Sequence, residues 1–281
     1  MDDRDVRDAA AALLGVYRTG SPIAPLSERY PDATLVDAYR IQQEQVRAWT
    51  TSGDLIRGHK IGLVSAALQE QMGVHEPDYG HLTASMFHPA DQPVPAHSFI
   101  QPRIEPELAF VLESSLQGPG VTVAEAAQAV EYAVPALEIV DSRIADWRIS
   151  IVDTIADNAS SGGVVLGDTP ISPEELAGMS STCSLSRNGE VLETGTAQTL
   201  LGSPLDSLTW LANTLGLLGV GLEPGHVVLS GSLTRTVPVD SGDTFTADIA
   251  GIGRVTAFMS SPLRLAAPAT RDEDDVDEDL R

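Results

Sequence analysis

Two glutamates one residue apart, Glu105 and Glu107 in Pro102-Arg103-Ile104-Glu105-Pro106-Glu107-Leu108-Ala109-Phe110, give the first chemistry that can be argued from this chain. A third, Glu138, sits in Val134-Pro135-Ala136-Leu137-Glu138-Ile139-Val140. If both segments are strands, side chains alternate between faces, so Glu105 and Glu107 share one side while Ile104, Leu108, Phe110 and Leu112 take the other. Glu138 then falls beside Val134, Ala136 and Val140. Carboxylates crowded in an apolar setting repel and resist ionising unless a cation balances them. Oxygen-only ligands with no cysteine nearby favour Mg²⁺ or Mn²⁺ over zinc. A solvated strand face fits the same spacing, since with 17 Glu in 281 residues about one Glu-x-Glu pair is expected by chance.

A second chemical signal is Lys60. The basic residues are 16 Arg and this one Lys. Arginine keeps its proton at working pH and lysine can give it up, so a site that moves protons could not accept the exchange. An exposed strand lysine is the bland alternative.

The composition bounds the rest. With 42% hydrophobic residues the chain is globular and long enough for a substantial core. A formal charge of −23 argues against nucleic acid, which needs clustered Lys and Arg, and gives an anionic membrane no attraction. Residues 270–281 carry seven acids and two Arg, leaving −18 for the remainder, and 266–281 is expected to be a disordered acidic tail. No apolar run of about 18 residues exists, and Met1-Asp2-Asp3-Arg4-Asp5 is acidic where a signal peptide is basic, so a cytoplasmic protein is expected. The lone Cys183 leaves no intramolecular disulfide and no cysteine-rich metal site, and reads as a small core or strand residue.

The elements that must position these residues follow from pattern. A helix is expected over 4–17 and another after Thr34, with Asp37 three positions on as its capping partner, ending near Gly53. Residues 1–54 thus read as a helical N-terminal region and 55–265 as a β-rich catalytic domain. A strand over 56–63 carries Lys60, a short helix is expected over 65–72, and Glu76-Pro77-Asp78-Tyr79-Gly80 places Asp78 near the start of the next strand. The strand over 99–112 holds the paired glutamates, and Pro106 within it predicts an edge or a bulge. Thr122 and Glu125 cap a helix to about Tyr132, and the Glu138 strand follows. Residues 153–163 end a short helix and open a loop of small polar residues, suited to an anionic ligand and equally ordinary as a loop. Asn188-Gly189 marks a hairpin, Ser203-Pro204 with Asp206 starts a helix burying Leu208, Leu211 and Leu215, and 244–249 pairs with 254–259. Many strands with few intervening helices predict an α+β fold.

Five segments taken in order carry a resemblance: Gly58-His59-Lys60-Ile61-Gly62-Leu63, Glu76-Pro77-Asp78-Tyr79-Gly80, Pro102-Arg103-Ile104-Glu105-Pro106-Glu107, Pro135-Ala136-Leu137-Glu138-Ile139-Val140-Asp141-Ser142-Arg143 and Ala156-Asp157-Asn158-Ala159-Ser160. Together they resemble the 2-oxopent-4-enoate (2-hydroxypenta-2,4-dienoate) hydratase and 4-oxalocrotonate decarboxylase family, within the fumarylacetoacetate hydrolase superfamily, over about residues 5–262. The resemblance implies a mixed, rolled β-sandwich with flanking helices, a divalent metal on Glu105, Glu107 and Glu138, and acid–base or orienting roles for Lys60 and Asp78. It implies that Asn158, Ser160, Gly231 and Ser232 line the substrate pocket. It further implies a homo-oligomer acting on a small 2-hydroxydienoate in the meta-cleavage catabolism of aromatic hydrocarbons, and raises association with the next enzyme of the pathway as an expectation. Val64 stands where threonine often follows the Gly-Leu pair, and Pro106 where a small or branched residue is usual, which bears on substrate preference. Asp146-Trp147 and the Gln101-Pro102-Arg103 lead-in resemble hydratases. The alternatives are a decarboxylase of the same family, an acylpyruvate-type carbon–carbon hydrolase using His59 or His81 as base, and an acidic scaffold without turnover.

Overall fold

Near-continuous apolar runs such as Leu108–Leu112 and Ala133–Leu137, buried on both faces, commit the middle of the chain to strands of ten and eleven residues, and the rest of the molecule is assembled on them. The computed structural model describes residues 1–65, 69–70, 75–176, 182–196 and 202–261. The expected acidic tail and most of the helix expected over 65–72 lie outside those residues.

The N-terminal part holds α1 (Asp3–Thr19), α2 (Leu26–Arg29) and α3 (Leu35–Thr51), the last opened by the Thr34–Asp37 capping box. Their apolar stripes do not close on themselves alone. Leu13, Ala38 and Ile41 share a core with Ile144, Ile155 and Ala156 of the β-rich part. The buried Gln42 and Gln45 donate to the carbonyls of Tyr79, Ile155 and Ala156. These side chains act as partners for main-chain acceptors that would otherwise be stranded in an apolar interface.

Among the described residues twelve strands follow: β1 (Ile56–Gly62), β2 (Asp78–Thr83), β3 (Phe87–His88), β4 (Arg103–Leu112), β5 (Val130–Val140), β6 (Ser161–Leu166), β7 (Thr182–Arg187), β8 (Glu190–Thr196), β9 (Val227–Leu229), β10 (Val237–Pro238), β11 (Thr244–Ile249) and β12 (Gly253–Phe258). Eight form one mixed sheet in the order β2-β1-β9-β4-β5-β6-β3, with β10 paired to β4, and four form an antiparallel sheet β12-β11-β7-β8. The fold is α+β with rolled sheets. The large sheet curls until its edge strand β2 reaches the start of β6: a Cβ on Gly80 would lie 2.5 Å from the Asn158 carbonyl and 2.7 Å from Ser161 Oγ. One outer face packs on the small sheet through Leu137, Ile139, Val165, Phe245 and Ala247. Another packs through Leu108, Phe110 and Leu112 on α4 (Val123–Ala129) and α5 (Pro204–Leu217). The inner face carries Leu82, Ala109, Val111, Val134, Ala136 and Leu229 toward one end and the carboxylates toward the other.

One local expectation is corrected, and of the edge or bulge expected at Pro106 the structure shows the edge. The helix begun at the Thr122–Glu125 capping box stops at Ala129 instead of reaching Tyr132, because Val130 to Tyr132 are taken into β5 against Leu112 and Val111. Strand pairing outweighs local helix preference there. Pro106 produces no bulge, since the register across from it is continuous. It sits where β4 has a gap on its other side, between the β10 pairing at Ile104 and the β9 pairing at Ala109. Its missing N–H falls on that open stretch, and its carbonyl accepts from Leu233 N at 2.9 Å. An interior strand therefore has a local edge at the proline.

Candidate active site

Antiparallel pairing of β4 with β5 sets Glu105 directly opposite Glu138, and Glu107 one pleat further in, opposite Ala136. One oxygen from each of the three carboxylates lies within 4.8 Å of the others. Glu107 is 1% exposed and Glu138 fully buried. Glu107 Oε2 accepts the Gly231 N–H at 2.8 Å, whereas neither oxygen of Glu138 has a hydrogen-bond partner. Burial raises all three pKa values, with mutual repulsion adding to it at Glu105 and Glu107 and Lys60 opposing. A trio of this kind, short of donors at Glu138 and held together by strand register, fits a hard divalent cation through oxygen ligands.

Lys60, on β1, extends over the trio with Nζ 3.4 Å from Glu138 Oε1. Burial works to lower its pKa, but Glu138, Glu105, Asp78 and Glu107 outweigh that and hold it above the ordinary lysine value. Asp78, at the start of β2, pairs in register with Gly62. It leans across that residue so closely that a Cβ on Gly62 would lie 2.2 Å from Asp78 Oδ1. Asp78 is 3% exposed and its Oδ1 has no hydrogen-bond partner. Burial raises its pKa, with Lys60 opposing. Four buried acids thus face one lysine.

Above them opens a cavity of about 440 Å³ whose lining includes Lys60, Asp78, Glu105, Ser160 and Ser232. Ser160 closes a turn in which Asn158, Ala159 and Ser160 all have left-handed backbones, φ 55°, 51° and 55°. Nothing in Asn-Ala-Ser announces that conformation, which is uncommon outside glycine. It is held by its surroundings. Both amide atoms of Asn158 are used by the His81 main chain, at 2.8 Å each. Asn158 therefore fastens the turn to β2 from outside the cavity. Gly231 likewise serves the site through its N–H to Glu107. Its φ of 103° and the Val64 methyls 2.5 and 2.6 Å from a Cβ placed there leave room for glycine only.

Behind the turn, the fully buried Arg143 donates Nε to Asp157 Oδ1 at 2.6 Å, and its terminal nitrogens reach the Asp157 and Ser161 carbonyls. That ion pair ties the segment after β5 to the turn that carries Ser160. The lining also includes Arg103, Val140, Asp146, Trp147, Ile149 and Thr236. Arg103 was legible in the sequence: the alternation that puts Glu105 beside Glu107 also puts Arg103 on their face.

His59 and His81 pair across β1 and β2, ring centroids 4.9 Å apart, with His226 5.9 Å from His59. They are buried strand residues on the face opposite Lys60, and neither lines the cavity. A hydrolase that needs one of them as its base has no base here.

The fumarylacetoacetate hydrolase C-terminal family model matches residues 58–259. A 2-keto-4-pentenoate hydratase of Paraburkholderia xenovorans is 44% identical over 264 residues, 94% of this chain and 98% of that protein. A 2-oxo-hept-4-ene-1,7-dioate hydratase of Escherichia coli is 42% identical over 240 residues, covering 83% of this chain and 90% of its own length. Among solved structures, the 4-oxalocrotonate decarboxylase of Pseudomonas putida G7, complexed with magnesium and adipate, superposes with a TM-score of 0.88 at 33% identity over 92% of this chain and 98% of that one.

Proposed function

The chain belongs to the 2-oxopent-4-enoate hydratase and 4-oxalocrotonate decarboxylase family of the fumarylacetoacetate hydrolase superfamily, and on that footing we propose that it is a metal-dependent hydro-lyase. It adds water to a 2-hydroxy-2,4-dienoate, by way of the 2-oxo tautomer, to give a 4-hydroxy-2-oxo acid, a step in the meta-cleavage catabolism of aromatic compounds. The observation that carries this reading is the convergence of Glu105, Glu107 and Glu138 under a cavity that holds the chain's one lysine, in a protein alike almost end to end to a named hydratase.

Glu105, Glu107 and Glu138 would hold Mg²⁺, or Mn²⁺, which when bound supplies Lewis acidity toward a 2-oxo acid. Lys60 donates a hydrogen bond to the substrate's 2-oxygen and offsets the negative charge that develops on it. Asp78 Oδ1 takes the proton of the 2-hydroxyl and returns it at C5, which converts the dienol to the conjugated 2-oxo-3-ene. Water then adds its oxygen at C4, and the Lys60–Asp78 pair passes the remaining proton to C3, so one water is consumed and the side chains end as they began. Ser160 and Ser232 orient the substrate from the cavity wall.

The test is the loss of the dienoate's ultraviolet band by chelator-treated protein with and without added Mg²⁺, with the product's mass checked for one added water. No loss with any divalent ion would sink the reading. The likeness to a decarboxylase favours one second reading: release of CO₂ from a 2-oxo-3-hexenedioate without hydration of a dienoate would put the chain in that branch. Self-association is the assembly expected of the exposed apolar side chains Val36, Leu217 and Leu218, which line one groove, and sedimentation velocity measures it.

A further inference from the structure

We propose that Trp147 sets the length and charge of the substrate's tail, closing the cavity mouth so that short, uncharged tails are preferred; the inference rests on the dienoate reading above. The acid-binding end of the cavity is marked by Glu105 on its lining, with Glu107 and Glu138 buried beside it, and the half-buried Trp147 lines the cavity next to the exposed Asp146, on the side nearer solvent. A substrate with its head at the acid-binding end sends its tail toward the indole.

Strand register supplies a ruler. Arg103 pairs with Val140 across β4 and β5, two residues outside the Glu105–Glu138 pair, a rise of roughly 7 Å. From C2 to C5 of a dienoate there are three carbon–carbon bonds of about 1.5 Å or less. With C2 at the Glu105–Glu138 level, a five-carbon substrate ends below the Arg103–Val140 level, and each further carbon brings the tail nearer the indole.

The indole is not free to swing aside. Trp147 and its neighbour Asp146 both have left-handed backbones, φ 54° and 59°. Non-glycine residues keep that conformation where surrounding contacts dictate it. Here Trp147 Nε1 donates to the Gln101 carbonyl at 2.9 Å, and the Arg103 guanidinium lies 4.9 Å from the ring centroid. Both contacts come from the segment that leads into the glutamate strand, so the ring is referenced to the site itself.

Charge works in the same direction. A second carboxylate at the tail would meet Asp146 as well as Arg103, both on the cavity lining, so attraction and repulsion offset. Val140, Trp147 and Ile149 would meanwhile strip its water, a cost with no net electrostatic return.

The experiment compares wild type, Trp147→Gly and Trp147→Phe on 2-hydroxydienoates of five, six and eight carbons and on a seven-carbon dioate, by kcat/KM. Alongside, calorimetric dissociation constants are measured for the corresponding saturated 2-oxo acids, which bind without turning over. Wild type should favour the five- and six-carbon acids. Glycine accepts the left-handed backbone without strain and removes the wall, so Trp147→Gly should raise the long-to-short ratio by about tenfold or more in both kcat/KM and affinity. Phenylalanine keeps the wall and should hold both ratios within about threefold of wild type. An unchanged ratio in Trp147→Gly, or a wild-type preference for the dioate, overturns the proposal. If wild type hydrates no dienoate, the hydratase reading falls, and the affinity series still decides the role of Trp147.

Discussion

Removing the charge of Glu138 should stabilise the metal-free protein and abolish its response to Mg²⁺. Glu138 is fully buried opposite Glu105, and neither of its oxygens is hydrogen-bonded. In Glu138→Gln an amide that carries donors would face the two remaining carboxylates. Glu105 sets the scale: burial, with Glu138 and Asp78 adding and Lys60 opposing, moves its pKa from 4.5 to about 7, a difference of about 3 kcal/mol. A folded-state pKa above the unfolded value means stability that is full below the unfolded value and lost as pH rises through the folded one. The metal-free wild type should therefore lose stability between about pH 4.5 and 7, and further above that as Glu107 is forced to ionise. Burial holds the pKa values of His59 and His81 down, so these groups add stability as pH rises toward 6.5 and partly mask the loss. Comparing the two proteins at one pH cancels that contribution. Differential scanning fluorimetry from pH 5 to 8.5, in chelator and then in Mg²⁺, reads the result. At about 2–4 °C per kcal/mol for a chain of this class, the Mg²⁺-induced rise in Tm of wild type should grow by roughly 10 °C from pH 5 to 8. Glu138→Gln should melt higher than wild type in chelator at pH 8 and gain nothing from Mg²⁺. A wild-type increment independent of pH, or a variant less stable than wild type in chelator at pH 8, would refute the view that the trio is a set of mutually repelling acids awaiting a cation.

Other expectations follow from single contacts. Lys60→Arg keeps the charge beside Glu138 but gives up a proton donor that can also accept, so kcat should fall by about a hundredfold or more; wild-type rates would reduce Lys60 to an electrostatic role. Gly62→Ala places a methyl 2.2 Å from Asp78 Oδ1, so turnover should drop sharply while Mg²⁺ affinity, measured by titration calorimetry, stays near wild type. Arg143→Met leaves Asp157 buried without its partner, which should cost about 3–5 kcal/mol in urea unfolding; a loss under 1 kcal/mol would mean that the pair does not brace the turn carrying Ser160.

How far the sequence could be read depended on whether a feature was periodic or paired. Period-two alternation put Glu105 and Glu107 on one face and set Glu138 among inward residues, and capping residues such as Thr34–Asp37 and Thr122–Glu125 located the starts of helices. Alternation names a face and says nothing of register. That Glu105 meets Glu138, and not some other residue of β5, is decided by the whole β4–β5 ladder. The approach of Asp78 over Gly62 and the use of Asn158 as a clasp for His81 are long-range in the same sense. The left-handed Asn158-Ala159-Ser160 turn is the extreme case: no glycine marks it, and it exists because β2, Arg143 and Asp157 surround it.

Pro106 shows why such a site can be built on an interior strand. Between Ile104 and Ala109 one side of β4 is free of ladder pairing, and a proline costs least there because no donor is required. The chain that would have filled the gap, from Ser230 to Thr236, instead leaves the ladder after β9 and rejoins it at β10. On the way it supplies the Gly231 N–H to Glu107 and places Ser232 and Thr236 on the cavity wall. The detour still donates Ser230 N to the Leu108 carbonyl and Leu233 N to the Pro106 carbonyl, at 2.9 Å each. Leaving the regular ladder between them turns the Gly231 N–H onto a buried carboxylate, and the residue that marks the interruption in the sequence is the proline lying between the two glutamates.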